Sequence, residues 1–318
     1  MRLYINNTSF WTLFLSHLCK PYLIVGTDSF TKQLSKSSHQ WKCMPFYTTG
    51  GNVQPLRTIG GASIPKQSSS KVQCSQKREV PILDARWMNE TYDALAECLV
   101  PAAAVAENSS QKHIVGLAGP PGAGKSTLAS EVVLRINRLW RQKVGVLESQ
   151  EEPMDVATVL PMDGFHLYRS QLDAMENPEE AHARRGAPWT FDPMLLLQCL
   201  RNLRAQGSVY APSFDHGVGD PIEDDIFVGI QHKIIIVEGN YLLLEEGVWK
   251  EVSSIFDEKW FIDVDIDKAM QRVLKRHIST GKSPDTAKWR IEYNDRPNAE
   301  VIMKSRKNAD LIIRSIDL

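Results

Sequence analysis

The 318-residue sequence predicts an α/β protein built on an open parallel sheet flanked by helices. Short, unbroken apolar runs such as Ile234–Val237 are typical of strands that are covered on both faces. These runs alternate with amphipathic stretches such as Pro193–Gln206, where Asp192 is expected to cap the helix. Because strands that alternate with helices pair in parallel, this order of elements indicates a layered α/β fold.

Six segments are predicted as strands: Ile114–Ala118, Val144–Leu147, Val156–Pro161, Lys233–Val237, Trp260–Val264 and Asp310–Ile313. Six are predicted as helices: Pro81–Ala104, Lys125–Leu139, Pro193–Gln206, Asp267–His277, Pro284–Tyr293 and Asn298–Arg306. The first helix and a polar joint predict an N-terminal segment over 79–110, followed by the main domain over 111–318.

The charge is distributed unevenly along the chain. Residues 1–80 carry ten Lys and Arg against two acidic residues, whereas the remainder carries 27 basic and 36 acidic residues. Nucleic-acid binding needs a basic face, so the acidic body argues against it. The acid-poor, Ser- and Thr-rich composition predicts that residues 1–78 are a disordered plastid-type leader, with a mitochondrial leader and a cytoplasmic protein as the alternatives.

Other features of the sequence narrow the class of protein. The apolar stretch Phe10–Val25 is interrupted by His17, Lys20 and Pro21, so it is too broken to span a bilayer and is a poor secretory signal. Cys98 and Cys199 have no close Cys or His in sequence, which favours reduced packing thiols over a zinc site. The oligomeric state stays open, a homo-oligomer included.

A phosphate-binding loop follows the first predicted strand of the domain and opens a predicted helix. The stretch GLAGPPGAGKST contains Gly119-x-x-x-x-Gly124-Lys125-Ser126, in the strand–loop–helix context that a P-loop requires. Its backbone amides and the helix N-terminus favour anions, Lys125 reaches β- and γ-phosphates, and the Ser126 hydroxyl holds Mg²⁺. The predicted ATP-binding residues are Gly119, Pro120, Pro121, Gly122, Ala123, Gly124, Lys125, Ser126 and Thr127.

Two acids follow predicted strands. Glu238 ends IIIVEGN, at the strand end where an acid can hold Mg²⁺ or its waters. Asp163 follows Val156–Pro161 and lies on the same edge of a parallel sheet. A carboxylate there can orient a hydroxyl and accept its proton, or it can cap the turn that Gly164 makes.

Motifs of other P-loop proteins are not found. The sequence contains neither an N-K-x-D guanine motif nor LSGGQ, and Glu238 is followed by Gly239 where motor ATPases usually have a paired acid. These observations favour a kinase over a switch, a transporter ATPase or a motor.

Several ordered motifs together carry a family resemblance. The sequence from about residue 112 to residue 314 resembles the phosphoribulokinase, uridine kinase and type I pantothenate kinase superfamily of P-loop kinases. The matching segments are GPPGAGKST, PMDGFHL, RRGAPWTFD, PSFDHGVGD, IIIVEGNYLLL and FIDVDIDKAMQRVLKRH. The resemblance implies a nucleoside-kinase-like P-loop fold with a helical lid, and a catalytic base at Asp163.

The same resemblance indicates an acceptor pocket. The pantothenate kinase pattern is a closer match than the uridine kinase pattern, although Phe214 and Gly219 stand where it has tyrosines, and the T-H-S-R run of uridine kinases is missing. Uncharacterised bacterial and fungal kinases of the superfamily are more similar still, and they imply sugars or related polyols as acceptors, so pantothenate-, sugar- and nucleoside-like acceptors stay open. The candidate acceptor residues are Asp163, Arg185, Phe214, His216 and Asp220, of which Arg185, His216 and Asp220 have surface positions as the alternative.

Two arginines one helical turn apart complete the candidate site. Arg272 and Arg276 share a helix face, and similar helices carry lid arginines that stabilise the transferred phosphoryl group, although a solvent-facing basic stripe is the alternative. Together with Asp163 and Lys125 they form the candidate catalytic set. The sequence therefore predicts a Mg²⁺- and ATP-dependent kinase acting on a small-molecule hydroxyl, with a non-catalytic ATP-binding regulator and an NTP hydrolase as rivals.

Overall fold

The computed structural model describes residues 80–106, 111–144, 154–215 and 217–316. The chain divides into two units, Met1–Arg57 and Thr58–Leu318, and all of the described residues belong to the second. The predicted leader over 1–78 lies outside them.

A six-stranded parallel sheet forms the centre of the described chain, in the order β1-β8-β7-β2-β6-β3. Its strands are β1 (Ile82–Leu83), β2 (His113–Ala118), β3 (Ala157–Pro161), β6 (Ile234–Gly239), β7 (Glu258–Asp263) and β8 (Leu311–Arg314). Strands β4 (Val209–Asp215) and β5 (Asp220–Val228) form a separate antiparallel hairpin. The α/β fold with a parallel sheet is confirmed.

Helices cover both faces of this sheet. They are α1 (Met88–Ala106), α2 (Lys125–Val144), α3 (Arg169–Asp173), α4 (Pro178–Ala183), α5 (Pro193–Gln206), α6 (Gly247–Ile255), α7 (Ile266–Ser279), α8 (Pro284–Arg290) and α9 (Arg296–Lys304). A π-helical segment, Ile291–Asp295, joins α8 to α9. Asp192 caps α5 as predicted, because its side chain accepts a 2.9 Å hydrogen bond from Leu195 N.

Alternation along the strands divides the core between the two faces. In β6, Ile234 and Ile236 pack into the core with α1 and α2, whereas Ile235 and Val237 pack into the core with α5 and α6. Continuing that alternation, Glu238 faces the side of α2. Strand β6 therefore places Glu238 beside the start of α2, the helix that begins at the phosphate loop.

Two predicted elements differ from the structure. The N-terminal helix begins at Met88 rather than near Pro81, because Ile82 and Leu83 pair with Ile312 and Ile313 as an edge strand. Val144 ends α2 instead of opening a strand, and the rest of that predicted strand lies outside the described residues. The N-terminal helix α1 packs into the same core as α2.

Candidate active site

The phosphate loop connects β2 to α2 at the carboxyl edge of the sheet. Gly122 and Gly124 have φ values of 78° and 96°, a region in which only glycine is unstrained. A Cβ atom at Gly122 would also lie 2.4 Å from the carbonyl oxygen of Ala269. The two glycines let the backbone close into a concavity at the start of α2, where a helix N-terminus favours phosphate.

Lys125 lies across this concavity. Its Nζ donates hydrogen bonds to the carbonyl oxygens of Gly119 (2.9 Å) and Pro120 (3.2 Å) and to Asn240 Oδ1 (2.7 Å). Loss of hydration lowers the pKa of Lys125, against the opposing effects of Glu238 and Asp163. An ammonium group whose charge is under-compensated in this way favours the arrival of a polyphosphate.

Glu238 and Ser126 bring two side-chain oxygen atoms together at the start of α2. Ser126 Oγ donates a 3.0 Å hydrogen bond to Glu238 Oε1, and Glu238 is 7% exposed. Burial raises the pKa of Glu238, and the charge of Asp163 adds to this effect. A carboxylate and a hydroxyl fit Mg²⁺, which prefers oxygen ligands and commonly takes the remainder from phosphate and water. In the described ranges no group of three or more His, Cys, Asp or Glu could hold a metal without such help.

Asp163 lies on the same edge, one strand away. Pro161 at the end of β3 pairs with Glu238 of β6, and Asp163 follows in a 3-10 turn, Met162–Phe165. Gly164 in this turn lies so close to β4 that an added Cβ would be 1.9 Å from the carbonyl oxygen of Pro212. The close contact holds the Asp163 turn between the sheet and the β4–β5 hairpin.

A cleft of about 550 Å³ brings these groups together. Asp163, Glu238, Arg185, Phe214, Arg272 and Arg276 line it together with Pro121, Gly122, Gly124, Lys125, Ser126 and Thr127. The other three loop residues take different positions: Gly119 and Pro120 offer carbonyl oxygens to Lys125, and Ala123 is buried behind the loop.

One predicted acceptor residue, Asp220, does not line the cleft as expected. Asp220 lies behind it, where Asp220 Oδ1 accepts hydrogen bonds from Arg169 N (2.8 Å) and from an Nη of Arg185 (3.3 Å). The carboxylate of Asp220 therefore binds Arg185 instead of lining the cleft, and the residue spacing in PSFDHGVGD did not predict this contact. His216 lies outside the described residues.

The two lid arginines differ in their contacts. Arg272 donates to the carbonyl oxygen of Gly122 and to Ser315 Oγ, both at 3.1 Å, and so ties the phosphate loop to the segment after β8. Arg276 is exposed at the cleft and close enough to Lys125 to lower its pKa.

An aromatic wall closes the side of the cleft beyond Asp163. The ring of His166 lies 3.9 Å from that of Phe191 and 4.5 Å from that of Phe214, measured between centroids. His166 Nδ1 is 2.7 Å from the carbonyl oxygen of Asp163, so the imidazole donates this bond. His166 therefore combines a local hydrogen bond with a place in the cleft wall.

The cleft residues that sequence reasoning did not assign to the site include five polar ones: Asn240, His277, Arg290, Asp295 and Asn298. His277 Nε2 and Asp295 Oδ2 are 2.9 Å apart, and both side chains are 13% exposed. Asn240 follows Glu238-Gly239 directly, and NDRPNA (294–299) is a distinctive segment, so a signal was present in the sequence. This signal did not indicate a role for these residues, because they meet only when the segment from α7 to α9 packs beside the end of β6.

A second cleft of about 550 Å³ lies across the phosphate loop. It shares Gly122, Gly124, Thr127 and Arg272 with the first cleft. Its further lining residues are Met88, Tyr92, Ala123, Ile262, Lys268, Gln271, Lys275, Ser315 and Ile316. The phosphate loop therefore separates two spaces, of which only the first contains Asp163 and the aromatic wall.

The fold and this edge define the class of protein. A parallel sheet, a glycine-rich loop that opens α2 and an acid at the end of the neighbouring strand together describe a P-loop kinase fold. A crystal structure from Silicibacter sp. TM1040, described as a "putative fructose transport system kinase", has 29% sequence identity and a TM-score of 0.59. It covers 70% of this chain and 98% of that one.

The sequence comparisons identify the family. The model of the Phosphoribulokinase / Uridine kinase family matches residues 114–317, and the chain belongs to this family. A Schizosaccharomyces pombe protein named "Putative uridine kinase C227.14" is 34% identical over 76% of this chain and 95% of its own length. The ATP-dependent kinase YFH7 of Lachancea thermotolerans is 30% identical over 67% of this chain and 68% of its own length.

One further observation concerns membranes. Of the helices within the described residues, none combines the length and the apolar character needed to cross a bilayer.

Proposed function

We propose that this protein is a Mg²⁺-dependent kinase that transfers the γ-phosphate of ATP to a hydroxyl group of a small metabolite. The observation that carries the proposal is the position of Asp163 in one cleft with the phosphate loop, Lys125 and Glu238. A protein that only binds a nucleotide needs the loop, but it has no use for an acid on the acceptor side. Family membership supports the same reaction.

The two clefts suggest how the donor lies. The triphosphate fits the concavity of the loop, with its γ-phosphate towards Asp163 and its nucleoside in the second cleft. Met88 and Tyr92 of α1 and Ile262 of β7 give that cleft an apolar wall, while Gln271 and Lys275 supply polar groups at its rim. A flat, partly polar base suits such a surface.

In the proposed reaction, the acceptor oxygen forms a bond to the γ-phosphorus as the bond to the β–γ bridging oxygen breaks and ADP leaves. The acceptor proton passes to a carboxylate oxygen of Asp163. Because a carboxylate is a weak base towards an alcohol, Asp163 orients the hydroxyl and takes its proton late. Lys125 and Arg276 stabilise charge on the transferred group, and Ser126 and Glu238 would hold Mg²⁺, which neutralises charge on the phosphates.

The test measures ADP formation by the full chain with Mg-ATP. The acceptors are pantothenate, nucleosides, ribulose 5-phosphate, fructose and glycerate. A kinase makes ADP faster with one of these acceptors than with water alone, whereas a hydrolase makes ADP at a rate that no acceptor changes. If neither is seen, the protein is a regulator and the proposal fails.

Asp163→Asn tests the assignment of the base. We expect acceptor-dependent turnover to fall by about 10²-fold or more, with the affinity for ATP unchanged, because only the group that takes the proton is lost. Asp155→Asn is the matched control, since Asp155 precedes the opposite end of β3 and pairs with Arg141 at the surface. Full turnover of Asp163→Asn would refute the role of Asp163.

A further inference from the structure

Arg185 and Arg290 both line the cleft that contains Asp163 and the aromatic wall. We infer that the acceptor carries an anionic group, a carboxylate or a phosphate, in addition to its hydroxyl, and that Arg185 and Arg290 bind this group. The inference rests on the proposed function, because it concerns the second substrate of the same reaction.

Arg185 is held in place but incompletely satisfied. Its side chain is 14% exposed, and one Nη donates to the carbonyl oxygen of Leu167 (2.8 Å) and, at 3.3 Å, to Asp220. Its guanidinium lies 5.6 Å from the centroid of the Phe214 ring. Its Nε is buried and finds no hydrogen-bond partner within the described chain.

The charge of Arg185 is also under-compensated. Asp220 Oδ1 is shared with Arg169 N, which is the nearer donor at 2.8 Å. Burial lowers the pKa of Arg185, and Asp220 only partly offsets this effect. A guanidinium keeps its proton under these conditions, so the cleft retains a positive charge with unused donors.

Arg290 reaches the same cleft from the end of α8. It ends α8, lines the cleft and, like Arg185, has a buried Nε for which the described residues offer no hydrogen-bond partner. A buried donor of a charged group is costly to leave unpaired. Because both guanidinium groups line one cleft, their positive charges favour a ligand that accepts hydrogen bonds and carries negative charge.

Buried side-chain amides connect the segment that carries Arg290 to the segment that carries Arg185. Asn294, 2% exposed, donates through Nδ2 to the carbonyl oxygen of Arg185 at 2.9 Å. Asn298 donates to Asn294 Oδ1 at 3.0 Å. The segment that follows Arg290 is therefore bonded to the backbone of Arg185, and both arginines belong to one rigid rim.

The acids that line the cleft have other partners or roles. Glu238 accepts from Ser126, and Asp295 pairs with His277 at 2.9 Å. Asp163 is the proposed base. Lys125, Arg272 and Arg276 lie beside the phosphate loop, so the donor accounts for their charge. Arg185 and Arg290 remain for the acceptor, whose carbon skeleton would pack on Phe214 and the rest of the aromatic wall.

The first experiment compares acceptors in pairs that differ only in charge: glycerate with glycerol, pantothenate with pantothenyl alcohol, and ribulose 5-phosphate with ribulose. We expect the anionic member of a pair to have a KM about tenfold or more below that of the neutral member. The pair that responds distinguishes a carboxylate from a phosphate. If the neutral members are phosphorylated as well as the anionic ones, the inference is overturned while the proposed function stands.

The second experiment tests the two arginines. Arg290→Gln and Arg185→Gln should raise the KM for the anionic acceptor about tenfold or more and leave the KM for ATP unchanged. Arg201→Gln, which removes an arginine paired with Glu251 at the surface, should change neither value. A loss in kcat with an unchanged acceptor KM would instead assign Arg290 to the transferred phosphoryl group and overturn the inference.

A binding measurement separates this inference from the proposed function. Inorganic phosphate is titrated into the full chain saturated with Mg²⁺ and a non-hydrolysable ATP analogue, which occupies the phosphate loop. Wild-type binding that both glutamine variants weaken supports the anion site even if no acceptor is turned over, an outcome in which only the proposed function fails. Phosphate binding that is absent, or equal in the wild type and the variants, overturns the anion site.

Discussion

At the scale of single residues, the site places groups with opposing preferences close together. Burial raises the pKa of Glu238 and the charge of Asp163 adds to this effect, while the charge of Lys125 opposes it. These groups line one cleft, where Mg²⁺ and the phosphates of ATP would add further charges of both signs. Arg272 and Arg276 lie one helical turn apart but differ in their contacts: Arg272 donates to Gly122 and Ser315, whereas Arg276 is exposed at the cleft.

Paired alanine variants should separate the two arginines. We expect Arg276→Ala to lower kcat by about 10²-fold or more with an unchanged melting temperature, because Arg276 is exposed at the cleft and contributes charge to the reaction. Arg272→Ala should lower the melting temperature and raise the KM for ATP, because it frees Gly122 and Ser315. Steady-state kinetics and thermal unfolding are measured for both variants. The same change in kcat, KM for ATP and melting temperature in both variants would contradict the separate roles of Arg272 and Arg276.

At the scale of elements, function depends on how the turn after β3 meets the β4–β5 hairpin. The sheet brings the end of β3 beside Glu238, but the direction of Asp163 depends on a turn that packs on the backbone of Pro212. A close backbone contact of this kind leaves no room for a side chain at residue 164.

Gly164→Ala should therefore reduce both stability and activity. The added Cβ would lie 1.9 Å from a backbone oxygen that cannot move aside alone, so we expect a loss of about 1–3 kcal/mol in the free energy of unfolding. Gly247→Ala is the control, since its Cβ would meet nothing within 4 Å and only the backbone strain at φ 49° remains. Urea unfolding and turnover should show that only Gly164→Ala displaces Asp163; an active, stable Gly164→Ala protein would contradict this expectation.

A buried lysine anchors the start of β2. Lys112 is 4% exposed and donates from Nζ to the carbonyl oxygens of Gly229 (2.9 Å) and His232 (2.6 Å), which lie in the turn before β6. Burial, and then the charge of Lys233, lowers the pKa of Lys112 from 10.5 to about 8. The starts of the neighbouring strands β2 and β6 are thus joined through a group that loses its charge in the folded protein at mildly alkaline pH.

This anchor predicts a pH dependence of stability. Between pH 8 and pH 10.5 the unfolded chain keeps the Lys112 proton that the folded protein has released, so the free energy of unfolding rises with pH, by on the order of 2 kcal/mol. Below pH 8 both states are protonated and the slope disappears. Lys112→Met should lack this rise, and urea unfolding of both proteins across the range checks it; parallel curves would rule the effect out.

At the scale of the whole molecule, the residues before the phosphate loop are part of the fold. Helix α1 buries Met88, Tyr92, Leu95, Ala96, Leu99 and Ala103 in one core with Leu128, Val132 and Ile136 of α2. Strand β1 lengthens the sheet beyond β8. The second cleft also takes Met88 and Tyr92 from α1, so this helix serves both the core and the proposed donor site.

Removal of residues 1–110 should abolish cooperative unfolding. Each large side chain of α1 contributes about 1.5–3 kcal/mol of burial, and the four of them rival the whole stability of an ordinary domain. A chain that begins at residue 79 keeps α1 and β1 and is the matched control. Circular dichroism during thermal unfolding measures both, and a cooperative transition in the shorter chain would show that α1 is dispensable.

The sequence by itself determined the phosphate loop, the two acids at strand ends and the parallel α/β fold. These follow from local chemistry, because glycine freedom, strand periodicity and strand-end position act over a few neighbouring residues. It did not reveal β1 or the β4–β5 hairpin: β1 has only two residues, and much of β5 is exposed, so that apolar alternation is weak.

Only the tertiary structure decided which side chains complete the cleft. Asp220 was expected in the acceptor pocket but lies behind it with Arg185, and Arg290, Asp295 and Asn298 enter through helices that are distant in sequence from the loop. Such contacts depend on how whole helices pack on the sheet, and no spacing within one segment encodes them. The donor side of this kinase is thus set by a local motif, whereas its acceptor side is set by long-range packing.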